Sequence, residues 1–491
     1  MDKYSPPERP WGISGRVAPG QTLSSMLNFY SPIEQSARAH PSKLAIRWPA
    51  AASLTFEQLT RQVSNARHQL AAAGICPSDV CLLAVPASPA AIVALLALLA
   101  EGAVVLLPPA GMRLGQWNRI RKDCRVRAIV TARLPALKVR ALGRLFGTKL
   151  IRIDPFGAAA ISSAPRAVPE TQAALITFSS GSTGRPRPIY RSHAVLTRQH
   201  EALLHHFPAK PGSLDFPLFP NVLLHNLAAG VSTLLPDIAG FRLAQLQPQK
   251  VIAQLQSESV RTLTGNVFYF TRLADYAEAH RIALPSVEAV GVGGSPVPEC
   301  LLARLQALFP TAKVYVIYGS SEAEPIAVRE FNGPLDPLRG YAVGPVHPGL
   351  HWKLAATDCL SAEAIGELLV RGPHVVVPPG QQWFATGDIG YVEDQKLVLT
   401  ARRGNEAVIG GKQHYQLEHY LQHQSGIKKV AALARGSVFD IIFEGAASAA
   451  AVHQALAEVI DPKHIRVVRQ THRLPMDRRH GSKILYHKIK P

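Results

Sequence analysis

The densest chemistry in the chain lies in Leu175-Ile-Thr-Phe-Ser-Ser-Gly-Ser-Thr-Gly-Arg-Pro-Arg187. An apolar, β-prone run ends in Ser179, Ser180, Gly181, Ser182, Thr183 and Gly184. Glycines permit close backbone approach, and exposed N–H groups and hydroxyls suit phosphate oxygens. Arg185 and Arg187 place positive charge beside them. No Gly-Lys-Ser/Thr follows at the spacing of a Walker A loop, so that class of phosphate site is excluded. Composition alone equally allows a flexible polar turn.

Elements must hold such a loop, and the N-terminal half offers helix and strand in alternation. Ser31-Pro32 places proline at a helix start, and that helix should stop before Pro41. Leu44–Trp48 reads as a strand, and Thr55 with Gln58 forms a capping box for a helix running to Gly74. Strands near 80–85, 103–107, 127–131 and 149–153 alternate with helical segments. This predicts an α/β domain with mainly parallel sheet. The 21 uncharged residues Val80 to Ala100 are long enough for a membrane span, but Pro86 and Pro89 split them. Strand, turn and helix of a buried sheet fit that punctuation better. Residues 156–170, rich in Ala, Ser and Pro, read as a linker.

A chain of 491 residues and 53.1 kDa leaves room for two to four domains at roughly 100–200 residues each. Its 47% apolar and 18% charged content excludes wholesale disorder, collagen and coiled coil. The 53 Lys and Arg exceed the 34 Asp and Glu by 19. Residues 401–491 hold 15 basic and 7 acidic side chains, so the C-terminal fifth is the more basic part. Such a field concentrates anions of any kind. No nucleic-acid motif accompanies it, and the eleven Lys and Arg between Arg113 and Lys149 alternate with Leu, Ile and Val as on a solvated helix face. No nucleic-acid partner and no transmembrane span are expected. Five cysteines without CxxC pairing argue against a disulfide framework and suit a cytoplasmic protein, and the N-terminus has no signal-peptide pattern.

The phrase SSGSTGRPR closely resembles the phosphate loop of the adenylate-forming superfamily, which includes acyl-CoA synthetases, luciferases and peptide-synthetase adenylation domains. Arg187 stands where that family has lysine. Further matches follow in the family order. Gly293-Gly294-Ser295-Pro296 resembles a loop lining the acyl and adenine pockets. Tyr318-Gly319-Ser320-Ser321-Glu322 resembles YGxTE, whose Tyr stacks on adenine, whose hydroxyl touches phosphate and whose Glu helps to hold Mg²⁺. Gly366–Gly372 resembles the strand before the ribose site, and Thr386-Gly-Asp388 the TGD whose carboxylate accepts from the ribose hydroxyls. Arg402 falls on the family's arginine at an inter-domain hinge, here Arg403, Gly404 and Asn405, and Glu418 on a helix glutamate that follows. Val408 replaces a lysine common in acyl-CoA synthetases.

The C-terminal lysine usually follows a proline by six residues, but Lys483 follows Pro475 by eight. PxDxRHxxK spacing resembles the β-lactone synthetase branch of bacterial olefin biosynthesis. Ile189-Tyr-Arg-Ser-His193, Asp215-Phe-Pro-Leu-Phe219, Asn226–Val231 and Tyr318–Pro325 look like the same branch.

The resemblance implies an α/β fold with a layered N-terminal AMP-binding domain, residues 1–400, of mainly parallel sheets with a small β part. A smaller mobile α+β lid, 401–491, would carry Lys483. It implies ATP and Mg²⁺ as cofactors, with Lys483, Glu322 and Thr183 catalytic and Glu322 at the metal. Nucleotide contacts would come from Ser179 to Gly184, Arg187, Gly294, Ser295, Tyr318, Gly319, Ser320, Ser321, Asp388 and Arg402. The expected reaction converts a carboxylic acid to acyl-AMP. A 3-hydroxy acid would then close to a β-lactone; the alternative is an acyl ligase passing the acyl group to coenzyme A, a carrier protein or an amine. Substitutions at Arg187, Ser321, Gly404 and Val408 also fit a non-catalytic nucleotide-binding relative, against which Glu322, Asp388 and Lys483 speak. His225 reads as a structural histidine, His193 as one that orients the phosphate-loop segment, and Arg478, Arg479 and His480 as a basic turn or a phosphate-side group.

Overall fold

The structure, a computed structural model, describes residues 26–49, 53–85, 87–109, 112, 114–132, 143–144, 147–154, 156–157, 164–179, 186–207, 213–238, 243–357, 360, 365–477 and 481–489. The chain forms two compact units: 1–241 with 378–380, and 242–377 with 381–491. The fold is α/β with mostly parallel sheets and a smaller sheet-containing C-terminal part.

In the first unit, five parallel strands and one antiparallel strand lie in the order Lys149–Arg152, Val126–Thr131, Val80–Leu83, Val104–Leu106, Ala173–Ser179, Arg187–Ser192. A second group pairs Leu54–Thr55, Leu44–Arg47, Ser232–Leu234 and Leu214–Pro217. The Thr55 capping box forms as expected and starts the helix Phe56–Ala72. The Val80–Ala100 stretch divides into the strand Val80–Leu83 and the helix Pro89–Ala100, which begins at the Ser88 cap. At 12 residues this helix is about 18 Å long, short of a bilayer's ~30 Å hydrocarbon core. Among the described residues no helix is long and apolar enough to cross a membrane. Its Ile92, Val93 and Leu96–Ala100 pack with Phe56, Leu59, Val63 and Ile33 in the main core. Helix Leu114–Asp123 turns Trp117 and Ile120 inward and leaves Arg119 and Lys122 in solvent, the solvated basic face expected there.

The linker reading of 156–170 needs correction, because its described end is packed into this unit. Val168 is buried, Pro169 bridges to Met26, and the Arg166 carbonyl accepts from Asn28. The Arg166 Nε and Arg67 Nε both reach the buried Glu101 carboxylate at 2.7 Å. Low hydrophobicity hid these contacts, which depend on one valine and on a carboxylate 65 residues away.

The second unit contains parallel strands Val260–Asn266, Ala289–Gly293 and Lys313–Tyr318, closed by antiparallel Ala327–Glu330. A five-stranded antiparallel sheet follows in the order Tyr341–Gly344, Lys396–Arg402, Phe384–Glu393, Gly366–Arg371, His351–Ala355. After Arg402 the chain builds the helix His414–Gln422 and a three-stranded sheet, Ile427–Arg435, Val438–Gly445 and Ile465–Gln470. Leu417, Leu421, Val430, Phe439, Ile441, Phe443 and Leu456 form the core of this part.

Candidate active site

The strands on either side of the expected phosphate loop, Ala173–Ser179 and Arg187–Ser192, pair antiparallel. Ser179 ends one strand and pairs with Arg187, the exposed first residue of the next. Ser180, Gly181, Ser182, Thr183, Gly184 and Arg185 lie outside the described residues, as do Arg478, Arg479 and His480. The Thr177 hydroxyl accepts from Arg191 across the hairpin at 2.7 Å. His193 opens the following helix, and its Nδ1 accepts the Phe29 N–H at 3.0 Å. Buried at that junction, its pKa falls to about 4, which keeps the ring a neutral acceptor. His193 therefore ties the base of the hairpin to the chain near Phe29.

His225 is structural in its surroundings. Its Nδ1 lies 2.9 Å from the Nδ1 of His200, and burial, then the His200 charge, push its pKa down to about 3. Two residues with no partner legible in the sequence also acquire one. Asp215 accepts from Asn226 at 2.6 Å, and Glu201 pairs with Arg198 at 2.6 Å.

The remaining candidates converge within the second unit. Open α/β sheets present ligand crevices outside the carboxyl ends of their strands. Asn266, Gly293 and Tyr318 are those ends here. At Gly293 a Cβ would fall 2.4 Å from the Ile317 carbonyl oxygen, so glycine is required where two strands crowd. Gly294 and Ser295 follow it. After Tyr318 a tight turn, closed by reciprocal Ser320 and Ala323 backbone bonds, displays Gly319, Ser320, Ser321 and Glu322. The Glu322 carbonyl accepts the Val376 N–H at 2.7 Å, which fixes the far side of the turn.

Tyr318 donates its hydroxyl to Asp388 Oδ2 at 2.8 Å, while Arg402 Nη1 donates to Asp388 Oδ1 at 2.7 Å. One carboxylate thus joins the end of a parallel strand to two strands of the antiparallel sheet. Burial, then the Asp388 charge, holds the Tyr318 phenol far above its usual range. Asp388 in turn raises Arg402. The Asp388 backbone N–H is held by Thr386 Oγ1 at 3.1 Å.

Lys483 joins this group from the C-terminal segment. Its pKa lies below the ordinary lysine value, because protein atoms crowd the ammonium and Arg402 repels it. Asp388, Asp477 and Glu322 act in the opposite sense. The side chain still reaches solvent, so partial loss of hydration, short of full burial, produces this shift. At the hinge candidates, Arg403 pairs with Glu367 at 2.7 Å and Gly404 has φ +90°. The Asn405 side chain donates to Ala432 O and accepts from Ala434 N, both at 2.8 Å. Val408 is 48% exposed.

Sequence reasoning assigned no role to His414, Tyr415 or Asp477. His414 Nε2 accepts the Arg402 N–H at 2.9 Å, so its Nδ1–H donates to Glu418 at 3.1 Å. Glu418 also accepts from the Ala432 N–H and from Tyr486. Tyr415 is buried in the field of Asp388 and Arg402, and its phenol is raised first by burial. Asp477 was visible only as one letter of a C-terminal phrase.

Buried hydroxyls of Ser295, Ser320 and Ser482 have no hydrogen-bond partner among the described residues. Among the described residues, no group of three or more His, Cys, Asp or Glu could hold a metal ion.

The sequence profile of AMP-binding enzymes matches residues 33–377, more than half of the chain. The chain belongs to the AMP-binding enzyme family. It is thus an adenylate-forming ligase by family. An olefin beta-lactone synthetase from Xanthomonas campestris pv. campestris is 27% identical over 395 residues, covering 72% of this chain and 70% of that one. A feruloyl-CoA synthase from Amycolatopsis sp is 25% identical over 422 residues, covering 81% and 83%. Solved structures share the fold. ATP-bound MatB from Rhodopseudomonas palustris superposes with TM-score 0.79 at 19% identity, covering 94% of this chain and 97% of that one. O-succinylbenzoate coenzyme A synthetase from Bacillus subtilis, with ATP and magnesium ion, gives 0.78 at 17% identity, covering 93% and 98%.

Proposed function

We propose that this AMP-binding enzyme activates a 3-hydroxy fatty-type acid as its acyl-AMP, releasing pyrophosphate, and then closes the acyl group to a β-lactone with loss of AMP. The observation that carries the first step is the shared field of Lys483, Arg402, Asp388 and Glu322 beside the Tyr318 ring. Residues 1–400 would act as the AMP-binding domain and 401–491 as a lid hinged at Arg403, Gly404 and Asn405.

The residues suit ATP. Asp388 would accept from the ribose hydroxyls, Tyr318 would stack on adenine, and the Ser295, Ser320 and Ser482 hydroxyls would gain partners. The loop 179–184, Thr183 included, would cradle phosphate with Arg187 beside it. Magnesium is held by one or two carboxylates together with substrate phosphates, and Glu322 supplies one. When bound, Mg²⁺ neutralises charge on the phosphate oxygens.

Attack of a carboxylate oxygen on the α-phosphorus forms a C–O–P link and breaks the bond to pyrophosphate. The protein's task is positioning and charge stabilisation, with little acid–base chemistry. Lys483 would lie against the developing charge, and its lowered pKa reflects the crowding that such placement entails. In the second step the 3-hydroxyl oxygen bonds to the acyl carbon, the carbon–oxygen bond to AMP breaks, and the hydroxyl proton leaves to solvent. Reaction within one molecule gains from proximity and needs no external thiol. The β-lactone synthetase relative and the eight-residue spacing of Pro475 and Lys483 support this step. The free thiols of Cys76, Cys81, Cys124 and Cys300 fit action in a reducing compartment such as the cytoplasm.

Pyrophosphate release with Mg-ATP over pairs of 3-hydroxy and 3-deoxy acids tests both steps, with products weighed by mass spectrometry. Release confined to 3-hydroxy acids, with product lighter by one water and no thiol incorporated, is expected. Equal release with deoxy acids, and a thioester only when coenzyme A is added, would favour the acyl-ligase reading that the feruloyl-CoA synthase relative represents. Lys483→Ala should lower pyrophosphate release about 10²–10³-fold or more while leaving AMP binding within a few-fold.

A further inference from the structure

We propose that Asp477 is the positioning residue of Lys483: its carboxylate holds the Ser482 and Lys483 amides and so aims the lysine arm. This rests on the adenylation reading, in which Lys483 meets the reacting phosphate.

Lys483 follows Pro475 by eight residues, and bonds between described residues on both sides bridge that interval. Around it, Met476 bridges to Ile484 and the Leu485 N–H donates to the Pro475 carbonyl at 2.8 Å, so the flanks form a short antiparallel ladder. At its mouth the Asp477 N–H donates to the Lys483 carbonyl at 2.9 Å, and the Gly481 N–H donates to the Asp477 carbonyl at 3.1 Å. The side chain completes the bridge. Asp477 Oδ1 accepts the Ser482 N–H at 3.2 Å and the Lys483 N–H at 2.9 Å. An anion accepting two adjacent amides is a strong and directional restraint. It is also shielded, since Asp477 is 8% exposed.

Two features flank the lysine on its N-terminal side. Gly481 adopts φ +64°, and a Cβ there would sit 3.6 Å from the Phe268 ring at the start of the helix Val267–His280. Ser482 keeps a buried hydroxyl without a partner among the described residues beside the lysine. Asp477 acts on Lys483 through charge as well as through the backbone. The charges that act on the ammonium include Glu322 from the turn after Tyr318, Asp388 and Arg402 from the antiparallel sheet, and Asp477 from the lysine's own segment. Asp477 is therefore the one carboxylate of the three that belongs to the same local hairpin.

The test separates the two actions. Asp477→Asn retains an oxygen acceptor for both amides and removes the charge; Asp477→Ala removes both. Pyrophosphate release should fall about tenfold for Asp477→Asn and about 10²–10³-fold for Asp477→Ala. KM for ATP should stay within a few-fold in each, because a misplacement near 1 Å costs on the order of 10² in rate without abolishing binding. Lys483 should titrate lower in Asp477→Asn than in wild type, because a carboxylate that favours the ammonium is lost, read by ¹³C NMR of the reductively methylated full-length protein, with Lys483→Arg assigning the signal. Titration does not require turnover. If wild type releases no pyrophosphate, the adenylation reading fails while the lysine shift still reports on Asp477. An unchanged lysine titration in Asp477→Asn, or Asp477→Ala retaining release within twofold of wild type, would overturn the proposal. Equal losses in both variants with a raised KM for ATP would also overturn it, because that pattern marks a binding or folding defect.

Discussion

Asp388 shows how much one side chain can organise. Its two oxygens are divided between Tyr318 and Arg402, and its backbone is fixed by Thr386, so the carboxylate can turn neither way without losing a bond. Asp388→Ala leaves a buried phenol and a guanidinium without their shared acceptor. The expected stability loss is about 1–2 kcal/mol, the lower part of the range for such pairs because the Arg402 side chain is half exposed. AMP affinity should fall about 10–100-fold, read by isothermal titration, as expected for losing hydrogen bonds to a charged acceptor. Affinity within twofold of wild type would remove Asp388 from the nucleotide site. The Thr-Gly-Asp letters were legible beforehand, whereas the division of the carboxylate between a strand end and an arginine 14 residues on was not. Hydrogen-bond partners that distant are chosen by the fold.

Among elements, the segment that leaves Arg402 is tied at each step. Arg403 holds Glu367, Asn405 spans Ala432 and Ala434, and His414 returns to the Arg402 amide. Gly404 between them sits at φ +90° with nothing within 4 Å of a Cβ. Gly404→Ala should therefore cost about 1 kcal/mol in urea denaturation through backbone strain alone, since no clash adds to it. A neutral or stabilising result would mean that the segment readily adopts another backbone conformation. The alternation of helix and strand in the first unit was legible because caps and buried strands carry local signatures. The packing of Arg166 and Val168 was not legible, because Ala-, Ser- and Pro-rich sequence looks the same whether it is solvated or laid against a buried glutamate.

For the whole molecule, acid is the natural stress. Burial holds His193 near pKa 4 and His225 and His419 near 3, against 6.5 for the free ring. His419 Nε2 accepts the Glu299 N–H at 3.0 Å and its Nδ1–H donates to Gly340 O at 2.9 Å, a pattern that only the neutral ring can make. As pH falls through 6.5 the unfolded chain takes up protons that the folded chain refuses. Stability from these rings is thus complete above pH 6.5 and is lost progressively toward pH 3–4, by about 1.4 kcal/mol per pH unit for each ring. Urea midpoints should drop steeply between pH 7 and pH 5, and His193→Gln should flatten that slope by about one proton. An unchanged slope would show that the unfolded chain shields the ring equally. The formal charge of +19 adds self-repulsion in the same direction as carboxylates protonate.

Local chemistry is what the sequence by itself determined: caps, buried strands, and the ordered phrases around Tyr318, Asp388 and Lys483. Each depends on neighbours within a few positions, where side-chain type and spacing govern the backbone directly. The tertiary structure alone decided which of those groups meet. It set Lys483 in the field of Glu322 and Asp388, made Glu418 the acceptor for Tyr486, His414 and Ala432, and bound the Lys483 amide to Asp477. These pairings follow from how buried sheets and helices pack, because a polar group taken from water must find its partner among whatever groups the fold brings beside it.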